Sequence, residues 1–168
     1  AMYTKPLQKA FAWVDAQKTR VPAHLPFLIA RYRLENNAGA LATALALIDA
    51  AIVQPHWGNP REDGYGHDGD MGAAFVLREL AHAYHALGAE LGEERRQRLL
   101  DKLRLQGDRF MANALLNRDY WGGSVMQDHG WRSLFAYADG VLHLLGVLPE
   151  VERWASYAVP RVRRSLDA

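Results

Sequence analysis

Residues 71–87 read Met-Gly-Ala-Ala-Phe-Val-Leu-Arg-Glu-Leu-Ala-His-Ala-Tyr-His-Ala-Leu, and their periodicity decides the fold class. Val76, Leu80, Tyr84 and Leu87 recur at steps of four, four and three, which puts them on one face of an α-helix. Asp68 or Asp70 stands where a side-chain oxygen can accept from the free N–H groups of the first turn.

The same period extends in both directions along the chain. After the break at Gly92, the stretch Glu93 to Leu116 carries Leu99, Leu103 and Phe110 along one face. Upstream, Gly39 to Val53 carries the stripe Leu41, Leu45, Ile48 and Ile52. Before that, helical spacing runs from Tyr3 to Lys18 and from His24 to Leu34, with Pro22 and Pro26 where the second helix begins. Downstream, Ser124 and Gln127 have the spacing of a capping box that opens a helix near Val125. That helix turns Leu134, Ala138, Val141 and Leu145 inward, stops at Gly146, and hands over to a last helix with Pro149 near its first turn. No β-alternation occurs. The expected fold is all-α: about seven helices in one domain over residues 1–168, paired as antiparallel hairpins because short connections force neighbours to reverse direction. Two connections are long, Gln54 to Asp68 and Asn117 to Gly123, and long loops in compact domains tend to carry function.

Composition narrows the function classes. Twenty Lys plus Arg against nineteen Asp plus Glu leave a net charge of +1, which gives no broad electrostatic footprint for nucleic acid. No apolar run approaches the roughly 20 residues that cross a bilayer. The absence of cysteine excludes disulfides and thiolate metal sites and leaves the redox compartment open. Ala1 ahead of Met2 reads as a cloning scar, and the first residues lack the apolar stretch of a signal peptide.

The richest cluster is Asp119-Tyr-Trp-Gly-Gly-Ser-Val-Met-Gln-Asp-His-Gly-Trp-Arg132, which gathers aromatic, carboxylate, imidazole and guanidinium groups around a helix start. Free N–H groups and a positive dipole end suit an anionic ligand such as a uronate carboxylate. His129 is placed to act as a base, Tyr120 or Tyr137 as a proton donor, and Trp121, Asp128, Trp131 and Arg132 as binding residues. The alternative makes Trp121 and Trp131 core anchors and lets His129 satisfy a backbone carbonyl. A second cluster, His56-Trp57 and Glu62 to Asp70, offers Trp57 and Tyr65 as a stacking surface for a sugar ring, or else is a solvated capping loop. It lacks the ligand ladder of a calcium loop. Glu79-Leu-Ala-His82 has the Glu-x-x-His spacing of helical di-iron sites, but a site needs a second copy and there is none. No metal and no cofactor is expected.

The segment Asp70 to Tyr84 followed by Leu91-Gly-Glu-Glu-Arg95 resembles a helix pair of the heparinase II/III-like polysaccharide lyases. The stretch from Trp121 through Asp128-His129-Gly, then Gly140 to Gly146, Pro149-Glu150 and Trp154, is similar to that family's following helices, so the resemblance spans about residues 38–166. It implies part of an α/α toroid that binds acidic, uronate-containing polysaccharide for β-elimination, in a periplasmic or secreted protein. His129 then takes the place of a histidine that contacts the uronate carboxylate. Asp128 stands where asparagine is usual, and an aspartate repels that carboxylate. The family's catalytic tyrosine falls on a later helix, beyond Ala168, so the chain is not expected to catalyse alone. A truncated toroid also leaves helix faces uncovered, through which copies of the chain could associate. The competing expectation is a non-catalytic helical binding or interaction domain.

Overall fold

The computed structural model describes residues 4–17, 19, 21–58, 68–116 and 128–167. Among them are seven α-helices and no strand: α1 (Thr4–Ala16), α2 (Leu25–Glu35), α3 (Ala38–Val53), α4 (Met71–Leu87), α5 (Glu93–Leu115), α6 (Asp128–His143) and α7 (Val151–Leu166). Short 3-10 turns precede α2 at Pro22–His24 and link α4 to α5 at Gly88–Leu91.

Local chemistry sets the ends. Asp70 caps α4, its Oδ1 accepting from Ala73 N at 2.9 Å, and Asn37 does the same for α3 through Ala40 N. Asp68 is therefore available for another task. α4 stops at Gly88, whose φ of +51° is a backbone conformation that costs glycine little. Pro160 lies inside α7 on its exposed side, where water can satisfy the carbonyl that loses a partner. Ser124 and Gln127, the expected cap of α6, lie outside the described residues.

Helices adjacent in sequence form antiparallel pairs. Tyr84 meets Arg96 across the α4–α5 turn, and Tyr137 meets Trp154 across the α6–α7 turn. Every second helix runs in the same direction. In one layer Arg33 of α2 bonds Ala86 O near the end of α4, while Leu77 of α4 lies against Gly140 of α6 and His85 near His143. In the other layer Asp49 of α3 bonds Arg95 of α5, and Arg104 and Asp108 of α5 pair with Glu150 and Arg153 of α7. The molecule is thus a two-layer stack of three hairpins, with α2, α4 and α6 in one layer and α3, α5 and α7 in the other, and α1 laid on α2. The turns at 36–37, 88–92 and 144–150 share one end. The long connections leave from the other, where α3 and α5 finish and α4 and α6 begin.

Burial follows the expected faces with three corrections, the first being that α4 buries Leu80, Tyr84 and Leu87 but leaves Val76 only partly covered. Leu99, Leu103 and Phe110 of α5 and Leu134, Ala138 and Val141 of α6 are buried, but Leu145 is 46% exposed. α6 has ended by then, and the turn through Gly146 no longer carries the helical phase. In α3 the buried set is Ala40, Ala44, Leu47, Ile48 and Ala51, whereas Leu41, Leu45 and Ile52 are only partly covered. The buried face of α3 is offset from the large-residue stripe: Ala42, Ala46 and Ala50 are exposed, and Ala40, Ala44 and Ala51 on the buried face let neighbouring backbones come close. Glycines do the same elsewhere: Gly140 lets α6 lie against Leu77 and Arg78, and Gly107 accepts the face of the Trp154 ring.

Candidate functional site: the loop-bearing end and the α4–α6 strip

At the end where the long connections leave, one buried carboxylate organises the backbone. Asp68 has φ +75°, a left-handed conformation that aspartate tolerates better than most residues, and its side chain is wholly buried. Its Oδ1 accepts from the amides of Trp57 and Gly58, and its Oδ2 from His56 Nδ1 at 3.0 Å and Arg109 at 3.1 Å. Gln106, oriented to satisfy both ends of its amide, gives Oδ2 a further donor at 2.7 Å and accepts from Lys102 Nζ at 2.9 Å. Burial alone would raise the Asp68 carboxyl, but the Gly58 amide, His56 and the Trp57 amide outweigh it and hold the group below its ordinary range. Lys102 also donates to Gln54 O, and burial together with Arg109 lowers its ammonium pKa. This knot ties the segment after α3 to α5 and to the start of α4.

Trp57 belongs to that knot. It is 7% exposed, its Nε1 donates to Ala51 O at 2.8 Å, and Lys102 covers its ring at 5.5 Å. The expected sugar-stacking role of Trp57 is corrected accordingly: the ring faces protein. Tyr65, Tyr120 and Trp121 lie outside the described residues.

Tyr137 is also corrected. Its ring is fully buried, stacked on Phe110 at 4.3 Å, and its hydroxyl donates to Gly107 O at 3.1 Å. Burial pushes its pKa well up. A hydroxyl so placed packs α6 on α5 and cannot hand a proton to a bound ligand.

The first turns of α6 remain at the surface. Asp128 opens the helix, His129 is partly buried, Trp131 is 43% exposed and Arg132 is exposed. Trp131 begins a row that steps by fours along α6 through Phe135, Asp139 and His143, and its ring meets Phe135 edge-on at 6.0 Å. α4 contributes Phe75, Arg78 and His82 at helical spacing, with the Arg78 guanidinium 4.8 Å above the Phe75 ring. The two rows adjoin where His82 Nε2 lies 3.3 Å from Asp139 Oδ2. The result is a strip with aromatic faces and guanidinium groups towards the loop-bearing end, where Arg78 is ion-paired with the buried Glu79, and imidazoles and a carboxylate towards the other. Aromatic rings stack on the apolar faces of sugars, and guanidinium groups bond carboxylates in pairs.

Comparison with family models, with curated proteins and with solved structures finds no match for this chain. Sequence reasoning places Trp131, Arg132 and His129 at the start of α6, where the structure has them. It misses Phe75, Arg78, Phe135 and Asp139, because a mixed aromatic and charged row on one helix gains meaning only beside the helix that flanks it. The available signal was the i, i+4 ladder Trp131, Phe135, Asp139, His143.

Proposed function

We propose that this chain is a toroid segment of the heparinase II/III-like lyase type that binds uronate-containing polysaccharide along the α4–α6 strip and does not complete elimination by itself. The supporting observation is Trp131, a large aromatic residue 43% exposed one turn into α6, flanked by His129 and Arg132 at the positive end of that helix. An exposed tryptophan beside a guanidinium group suits a sugar ring that carries a carboxylate. Eliminating uronate chemistry needs the carboxylate neutralised and a base and an acid at the glycosidic bond. Arg132 supplies the first requirement and the neutral imidazole of His129 the base of the second. With Tyr137 buried, no acid stands beside them among the described residues, and Asp128 adds a negative charge. Binding without turnover is the reading this favours, with Tyr120, the other expected donor, outside the described residues.

Titration calorimetry with heparan sulfate, alginate and chondroitin tests this. Binding to at least one is expected, weakened about 5- to 150-fold by Trp131→Ala, since stacking on an aromatic side chain contributes roughly 1–3 kcal/mol where it has been measured for other ring ligands. Ultraviolet absorbance should show no unsaturated uronate. If none of the three glycans binds, the remaining reading is a helical interaction domain, which exposed Leu142 and Leu145 favour.

A further inference from the structure

We infer that His82, Asp139 and His143 form a binding site for a divalent transition-metal ion of the zinc class, which clamps α4 to α6. The site sits towards the short-turn end of the stack, away from His129 and Trp131, and stands whether or not a glycan binds.

Each of the three residues offers one ligand atom, and these atoms lie within 4.8 Å of one another. Asp139 and His143 are one turn apart on α6, and His82 reaches them from α4. Asp139 bridges the two imidazoles: Oδ2 is 3.3 Å from His82 Nε2, and Oδ1 is 3.3 Å from His143 Nδ1. Those two contacts use different carboxylate oxygens; with one atom from each residue the set lies within 4.8 Å, and small side-chain rotations close it to the roughly 3.3 Å edge of a tetrahedron about 2.0–2.1 Å around zinc. His82 Nε2 is buried yet makes no hydrogen bond, a cost that ligation would remove. The His82 and His143 rings already face each other, their centroids 3.8 Å apart. Among the described residues Asp139 pairs with no Lys or Arg, so its charge is directed at the imidazoles alone. His143 Nδ1 also lies 2.9 Å from Asp139 O, and His85 Nε2 contacts His143 O. A carbonyl only accepts, so in the contact with Asp139 O His143 Nδ1 carries the ring proton and Nε2 is the nitrogen whose lone pair is free for a metal.

Two nitrogens and one carboxylate select the metal class. Calcium and magnesium prefer all-oxygen shells and copper(I) prefers sulfur, whereas this donor set suits the divalent zinc class, with cobalt(II), nickel(II), copper(II) and iron(II) as competitors. The side chains are 37%, 44% and 41% exposed, so a fourth position remains open to water.

The test is titration of the untagged full chain with zinc chloride, followed by calorimetry and thermal unfolding. One equivalent should bind and raise the unfolding temperature. His82→Ala and His143→Ala should each weaken binding by more than the roughly 10–100-fold that loss of a second-shell partner costs. His129→Ala, whose imidazole is elsewhere, should bind as the parent does. No heat and no thermal shift up to about 1 mM zinc, an affinity that would correspond to only about −4 kcal/mol, overturns the site. So does undiminished binding in His82→Ala or His143→Ala. If either variant fails to fold, the parent decides: zinc must shift the ring C–H resonances of His82 and His143 and leave those of His129 in place, and the opposite pattern refutes the assignment.

Discussion

Replacing Asp68 by asparagine keeps the shape of the side chain and removes its charge, which isolates what that charge holds together. In Asp68→Asn the new amide can still accept from the Trp57 and Gly58 N–H groups through its one oxygen, but its NH2 group would face His56, Arg109 and Gln106, all donors to the present carboxylate. Removing one partner of a buried ion pair costs about 3–5 kcal/mol when the other charge is stranded. Here the Arg109 side chain is 36% exposed and can turn to water, so the loss is closer to that of a hydrogen bond to a charged group, about 1.5–3 kcal/mol. For a chain of this size that lowers the unfolding temperature by roughly 3–12 °C. Urea unfolding followed by tryptophan fluorescence and circular dichroism reads it directly, since Trp57 lies in the knot. The pH dependence supplies the sign. The folded pKa of Asp68 lies below its ordinary 3.8, so its charge contributes fully above about pH 4 and the contribution is lost as pH falls through the folded value. The gap between parent and variant should therefore be complete at neutral pH and shrink below about pH 4. An equal midpoint at neutral pH, or a gap that stays constant into acid, would refute the reasoning, the second because it would make the effect one of shape rather than charge.

Gly107→Ala would place a Cβ 2.5 Å from Cη2 of Trp154, a rigid and fully buried ring, whereas Gly140→Ala would meet the movable end of Leu77 at 2.5 Å and the Arg78 backbone at 3.1 Å. Both should destabilise by about 1–3 kcal/mol in chemical denaturation, with the Gly107 variant the worse of the two; the reverse order would mean that Trp154 can yield. Tyr137→Phe removes a buried bond to Gly107 O and should cost about 1 kcal/mol while leaving glycan affinity unchanged, and a loss of affinity with stability intact would restore Tyr137 to the site. Because burial holds the Tyr137 pKa well above its ordinary 10.0, its neutral form stabilises the fold below that pH and the contribution is lost as pH rises through the folded value; alkaline unfolding curves should show the parent losing stability more steeply than the phenylalanine variant.

Much of the candidate site was legible at the start of α6, where Trp131 and Arg132 follow a helix start and lie at the surface. Trp57 and Tyr137 escape a sequence reading for a common reason. An aromatic residue in a polar loop, or one on the flank of an amphipathic helix, looks the same in sequence whether its ring meets a ligand or another helix. The partners that settle the matter are distant along the chain: Lys102 for the Trp57 ring, Gly107 and Phe110 for Tyr137. Asp68 is the converse. It reads as one of two alternative helix caps, and only Asp70 occupies the cap, which leaves Asp68 to gather donors from the segment after α3 and from α5.

The sequence by itself determined that the chain is all-α and where α4 and α5 run, because helical period and capping are local properties, set by residues within a turn or two of one another. It also settled the alternation of short turns with long connections, from which antiparallel pairing follows. Only the tertiary structure decided which faces meet: that α3 buries Ala40, Ala44, Leu47, Ile48 and Ala51, that Asp68 collects donors from far along the chain, and that His82 lies against Asp139 and His143. A helix declares which side is apolar, but the identity of the helix opposite depends on how whole hairpins stack, and no local pattern contains that.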